Sequence, residues 1–180
     1  MNIRNIKAVC FAVLLCLSMG IFSGQSYAQV SIAVVDVERV LAESDAAQSV
    51  QKQIDTKRKA FLAMVKKTEE KLRSDQKAIE AKRSELSKEE LLKKAQNFDR
   101  KRIEARSSIQ SKKAKLDKSY SEAMNILTKA IFEVCQKIAD EDKIDLVITR
   151  QNIIVGSNSL DITAKVMERM NKTLPELNLK

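Results

Sequence analysis

The chain has 180 residues, with 33 Lys and Arg against 24 Asp and Glu, no histidine, three cysteines, three glycines and one proline. Without histidine, zinc and copper centres of the usual N/S type, His-based triads and Cys–His nucleophile pairs are excluded. Between Gly24 and Gly156 there is neither glycine nor proline, where average usage would place roughly 16, so a glycine-rich phosphate loop is excluded there too and the interior reads as long helix.

The first segment reads as an export signal. Arg4 and Lys7 precede an apolar run from Ala8 to Met19, and Ser26-Tyr27-Ala28 places small residues where a signal peptidase reads them, predicting cleavage between Ala28 and Gln29. The run is shorter than the ~20 residues of a membrane-spanning helix, and Leu15 before Cys16 argues against a lipoprotein. Removal of residues 1–28 takes away Cys10 and Cys16 and leaves Cys135 as the only thiol. A single thiol allows no intrachain disulfide, and its place on an apolar helix face predicts a buried, inert side chain.

Next comes Ile32-Ala33-Val34-Val35-Asp36-Val37, a β-branched run expected to form a strand covered on both faces. A short helix is expected over Glu38–Glu43, with Ser44 or Asp45 capping the long helix that follows. In that helix Ala47, Ile54 and Phe61 form one heptad column, and Val65, Leu72, Ile79 and Leu86 a second. Beyond Phe61 the first column becomes Thr68, Asp75 and Lys82, so the seam loses half its apolar content and the outer half is expected to be thinner and wetter.

Ser87-Lys88-Glu89-Glu90 is a capping box, which starts a new helix where two long periodic segments must part to form an antiparallel hairpin. This register sets Ile54 opposite Tyr120, Phe61 opposite the region of Lys113 and Val65 opposite Ile109. In the return helix Phe98, Ile103, Ile109 and Leu116 are irregularly spaced, whereas Tyr120, Met124, Leu127, Ile131, Val134 and Ile138 alternate by four and three. Residues Ile131 to Ile138 overrun the hairpin partner and are expected to pack elsewhere.

After Asp140-Glu141-Asp142, the runs Leu146-Val147-Ile148 and Ile153-Ile154-Val155 flank Arg150-Gln151-Asn152 and predict a β-hairpin. Asp161 is placed to cap a last helix with Ile162, Val166 and Met170 on one face, before Pro175 and a polar tail. The fold class is therefore α+β and mainly helical: a long antiparallel helical-hairpin (coiled-coil) arm over residues 44–140, with its tip near 86–88, on a small body of three strands and a helix from 29–43 and 141–180. A body of about 60 residues with strands this apolar is marginal alone, which predicts a homo-oligomer with Ile32, Val34, Leu146, Ile148 and Ile154 in the interface.

Charge divides along the same boundary. Residues 55–118 carry 21 basic and 11 acidic side chains, and the rest of the chain beyond residue 28 carries 10 basic and 13 acidic. The arm residues Lys66, Lys67, Lys71, Arg73, Lys93, Lys94, Arg100, Lys101, Arg102, Arg106, Lys112, Lys113 and Lys115 point to an acidic partner, with Met64, Phe98 and Ile103 as apolar contacts. Nucleic acid fits by charge alone, but the export signal and the absence of interleaved aromatics argue against it. No acid–base pair in a pocket, cofactor motif or metal set is legible, so a non-enzymatic role is expected.

The export signal, the strand IAVVDVERVL (Ile32 to Leu41), the long basic hairpin and DKIDLVITRQNIIVGSNSLDITAKVMERM (Asp142 to Met170) closely resemble the Skp (OmpH-like) periplasmic chaperones of Gram-negative bacteria. IDLVIT (Ile144 to Thr149) and DITAKV (Asp161 to Val166) are the most specific parts. The resemblance implies a periplasmic homotrimer whose strands and terminal helix form a shared body. Its three hairpin arms would enclose a cavity that holds unfolded outer-membrane β-barrel proteins without ATP. It also implies a basic lipopolysaccharide-binding patch, which does not map onto individual residues here. The alternative from another class is a secreted coiled-coil spacer or adaptor that binds an acidic envelope surface such as lipopolysaccharide.

Overall fold

The structure is a computed structural model that describes residues 30–179; the expected signal segment and its cleavage point at Ala28 and Gln29 lie outside them. All the elements below belong to one unit, Ser31–Lys180. In chain order they are β1 (Ile32–Val35), α1 (Val37–Glu43), α2 (Asp45–Ala81), α3 (Lys88–Asp142), β2 (Leu146–Thr149) and α4 (Thr163–Thr173), with 3-10 turns at Arg150–Asn152 and Asn158–Leu160.

Helices α2 and α3 form the hairpin. At about 1.5 Å per residue their 37 and 55 residues span roughly 55 and 80 Å. The capping box is formed as expected: Ser87 Oγ accepts from the Glu90 N–H at 3.3 Å and Glu90 Oε2 accepts from the Ser87 N–H at 3.0 Å. Helix α2 stops at Ala81 rather than continuing to Leu86, because the reversal is built from turns in which the Arg83 N–H reaches Glu80 O and the Leu86 N–H reaches Lys82 O. At the other end α3 has no glycine to stop it. Lys143 takes the left-handed conformation instead, at φ 55°, and the Ile144 N–H bonds back to Ala139 O.

The caps around the base interlock. Asp36 caps α1 by accepting from the Arg39 N–H at 2.9 Å, and the Asp36 N–H donates to Thr163 Oγ1 at 2.9 Å. Asp161 Oδ1 accepts from the Thr163 N–H at 2.8 Å, one residue ahead of the expected place, because Ile162 holds the N-cap of α4 and its side chain has no acceptor to cap it. Ser44 stands at the N-cap of α2, but its hydroxyl is buried and bonds to nothing. The carboxamide of Asn171 on α4 accepts from the Asp45 N–H in its place.

The sheet corrects one expectation. It has two strands, β1 and β2, paired in parallel with Ile32 opposite Leu146 and Val35 opposite Thr149, and Val34 makes an isolated parallel bridge to Asp161. The predicted β-hairpin of Leu146–Ile148 with Ile153–Val155 is absent, because a 3-10 turn at Arg150–Asn152 redirects the chain and Ile153–Val155 forms no strand. A parallel pair needs a long crossover, and here the crossover is the whole helical hairpin.

The core lies where the base of the hairpin meets α1, α4 and β1. Val40, Ala46, Leu127, Ile131, Ile138, Val166 and Met170 have no exposed surface. Ile131, Val134, Cys135 and Ile138 pack into this cluster with Val35, Val40, Val166 and Met170 of the base, beside Ala46, Ala47 and Val50 at the start of α2. Cys135 is buried among them, and burial raises its thiol pKa, as expected of an inert thiol.

Candidate functional site

Packing fades along the hairpin. The last fully buried residue on α2 is Ile54 and the first on α3 is Ala123. Beyond them the seam residues Phe61, Val65, Leu72, Ile79, Phe98, Ile109 and Leu116 are only half-buried. Two of the polar replacements in the failing column, Thr68 and Asp75, sit half-buried in the seam as well, whereas Lys82 is exposed beyond the end of α2. Thr68 Oγ1 folds back onto Met64 O at 2.8 Å, and half-buried Asp75 takes Lys101 Nζ at 2.7 Å from the opposite helix. Lys101 holds the Asp75 carboxyl below its ordinary range, chiefly by that hydrogen bond.

All thirteen basic candidates of the arm are exposed. Lys93 pairs with Glu89 at 2.9 Å, Lys101 with Asp75, and Arg102 with Asp99 at 3.2 Å, while Arg100 donates to Asn97 Oδ1 at 2.7 Å. Lys66, Lys67, Lys71, Arg73, Lys94, Arg106, Lys112, Lys113 and Lys115 have no ion pair among the described residues. Net charge therefore reaches solvent along most of the arm instead of being cancelled locally.

The apolar candidates divide. Ile103 is 66% exposed, whereas Met64 and Phe98 are half-buried and line open hollows between the helices. The first hollow, of about 430 Å³, is bounded by Lys57, Ala60, Phe61, Met64, Lys112, Lys115, Leu116 and Ser119. The other lies near the tip, with Phe98, Asp75, Ile79, Lys94, Arg100, Lys101 and Glu104 among its walls. Phe61 across from Lys112 and Leu116, and Asp75 across from Lys101, match the hairpin register read from the sequence. Leu62 and Leu92 are also largely exposed. Both fall off the heptad seam, which is the signal that marks them.

A second apolar surface lies at the base. Among the expected interface residues Ile32 and Leu146 are exposed, Ile148 is half-buried and Ile154 is wholly exposed. Val34 is already buried within its own chain, and its backbone is tied by the Asp161 bridge and by the Ile162 N–H donating to its carbonyl, so it is not part of this exposed surface. Phe132 and Ile126 on α3 and Val155 beside Ile154 are exposed too, and sequence reasoning passed over the two helical ones. They lie off the four–three seam of α3, on a stretch that serves the base rather than the arm.

Ion pairs knit the base on its outer side. Arg169 of α4 grips Glu141 of α3 with both terminal nitrogens, Lys165 pairs with Asp142, and Arg150 with Asp161. Hydrogen bonds from Arg169 lower the Glu141 pKa, and hydrogen bonds from Thr163 lower that of Asp161. Among the described residues no helix is long and apolar enough to cross a membrane, and no group of three or more Cys, Asp or Glu is placed to share a metal ion.

A long two-helix arm, basic outside and thinly packed within, on a small base of two strands and short helices defines an arm-bearing α+β protein. The family model for OmpH-like outer membrane proteins matches residues 31–170. The chain thus belongs to the OmpH-like family. A solved chain from Caulobacter crescentus CB15, described as an OmpH-like outer membrane chaperone, superposes with a TM-score of 0.78 at 16% identity over 85% of this chain and 90% of that one. It shares the fold. No curated protein matches by sequence.

Proposed function

We propose that this chain is an ATP-independent periplasmic holdase that captures unfolded outer-membrane β-barrel proteins between basic arms and keeps them from aggregating before insertion. The observation that carries this reading is the arm itself, where unpaired basic side chains surround half-buried apolar residues. Unfolded barrel proteins display apolar residues in alternation along each strand, and acidic ones are drawn to a basic surface from several ångströms away. Weak apolar contacts at Met64, Phe98 and Ile103 then hold the client by number rather than by fit.

Self-association belongs to the same reading. The exposed Ile32, Leu146, Ile154, Val155 and Phe132 give the base an apolar surface that a second and third copy would cover, and a homotrimer would set three arms around one cavity. Family membership and the fold shared with the Caulobacter chain support this arrangement.

Light scattering of the purified protein lacking residues 1–28, with and without a urea-unfolded acidic barrel protein, tests the proposal. The expected result is a soluble complex of one trimer with one client after dilution of the urea. A client that precipitates as fast with the protein as without it would instead favour the spacer that binds lipopolysaccharide or another acidic envelope surface.

A further inference from the structure

The hollow at the middle of the arm differs from the one near the tip in a way that selects a ligand. Its floor is apolar, from Ala60, Phe61 and Met64 of α2 and Leu116 of α3, and its rim carries Lys57, Lys112 and Lys115 with no acidic side chain among the walls. None of the three lysines has an ion pair among the described residues. The hollow near the tip mixes Asp75 and Glu104 with Lys94, Arg100 and Lys101 and so cancels much of its own charge. Segments 57–64 and 112–119 together carry seven basic residues and one acidic.

The opening has a cause in the sequence. Where a heptad seam would insert an apolar knob opposite Phe61, α3 offers Lys112 and Lys115, whose charged ends leave for water and take their volume with them. A dry cavity of about 150 Å³ holds a benzene ring, so the ~430 Å³ here accommodates an aromatic or large aliphatic side chain.

We infer that this hollow is a discrete anchor site for one apolar side chain of an unfolded polypeptide whose neighbouring residues are acidic, so that Phe61, Met64 and Leu116 take the apolar group while Lys57, Lys112 and Lys115 take the carboxylates. The inference rests on the holdase reading and adds to it a preferred attachment point. Residues one or two positions from the anchor in an extended chain lie about 3.3 to 7 Å along it, within reach of flexible lysine ends. A lipid is the weaker fit: the walls cover only about two turns of each helix, roughly 10 Å, too short to cover an acyl chain.

The test uses two fluorescent 11-residue peptides of unfolded sequence with one central Phe, flanked by Asp in the first and by Asn in the second, titrated into the full assembly at low ionic strength. The triple variant Lys57→Gln, Lys112→Gln, Lys115→Gln should weaken the Asp-flanked peptide about tenfold and leave the Asn-flanked one within about twofold. Met64→Gln should weaken both. The triple variant Lys77→Gln, Arg83→Gln, Lys88→Gln removes the same charge far from the hollow and should leave both peptides within about twofold. Equal losses from the two triple variants would overturn the site and leave only diffuse attraction. So would dodecyl phosphate, below its micellar concentration, if its binding alone fell with the rim lysines. Capture of a whole barrel protein by the parent is scored separately, so failure of the anchor and failure of the holdase are told apart.

Discussion

The two ends of the hairpin are made from the same two helices and differ in almost every physical respect. At the base, Leu127, Ile131 and Ile138 have no exposed surface and meet residues from three other elements. In the outer half nothing is fully buried, and the helices meet through half-buried side chains and one cross-helix ion pair, Asp75 to Lys101. The difference teaches that a helix 55 residues long need not be uniformly stable. Its base draws on tertiary burial, and its outer part on intrinsic helix preference, the Ser87–Glu90 capping box and pairs such as Lys93–Glu89. On the holdase proposal, a loosely packed outer arm would spread to fit clients of different size while a self-associated base would keep the arms together.

The sharpest way to break the comparison is truncation in the two regions at fixed protein concentration. Leu127→Ala and Ile138→Ala should each cost about 2–5 kcal/mol by denaturant unfolding, because they leave cavities in a closed core. Leu72→Ala and Ile79→Ala should cost roughly 1 kcal/mol or less, since half-exposed side chains lose only part of their burial and water fills the gap. Equal costs in the two regions would contradict the gradient.

Charges inserted at the base come next. Ile154→Asp and Leu146→Asp should dissociate the proposed homo-oligomer, by sedimentation, while circular dichroism retains its helical signal. Val34→Asp should unfold the base itself, because the charge is buried within one chain at a cost of several kcal/mol. An unchanged mass for Ile154→Asp and Leu146→Asp together would remove these residues from the interface.

How much of this was legible in the sequence follows from what each signal measures. Heptad columns report burial along a helix, so the hairpin, its register and the fading seam beyond Phe61 could be read before any coordinates. The capping box marked the reversal for the same reason: its partners lie three residues apart. Non-local choices were not legible. Ile153–Val155 has the composition of a strand, yet strand formation depends on a pairing edge, and β2 pairs in parallel with β1 across the whole hairpin. Val34 and Ile154 look alike as apolar residues, but Val34 lies in a paired strand covered by its own chain, while Ile154 follows the turn that leaves the sheet and is in water. The exposed candidates of the arm were legible as a set, because charge density survives any detail of folding; the pairs Lys93–Glu89 and Arg102–Asp99 are local and open to the same reading, whereas the cross-helix pair of Lys101 with Asp75 was not.

Smaller effects sharpen the picture at the junction of arm and base. Lys143→Gly should stabilise the chain by about 1 kcal/mol in thermal unfolding, since glycine carries no penalty at a φ of 55°. Destabilisation by that change would show that the lysine side chain matters more than its backbone strain. The pH response should be smaller still in its midrange. The chain has no histidine, so stability should be flat from about pH 5.5 to 8. Glu141, Asp161 and Asp75 have folded pKa values below their unfolded ones, of about 4, through bonds from Arg169, Thr163 and Lys101. Their stabilisation is thus present above that range and is lost as pH falls through the folded values. A stability transition between pH 6 and 8 would contradict this account.

The central claim is that the arm's unpaired charge brings the client in, and stopped-flow capture of an acidic unfolded barrel protein across a salt series tests it most directly. The variant with Lys66, Lys67, Lys71, Arg73, Lys94 and Arg106 all replaced by Gln removes side chains that have no ion pair among the described residues. Its association should be slower than the parent's by about tenfold or more at low salt, with dissociation changed less. The gap should close as the Debye length falls from ~10 Å at 0.1 M to ~3 Å at 1 M. Equal association rates for parent and variant at low salt would contradict the account and leave the positive arm as a device for solubility.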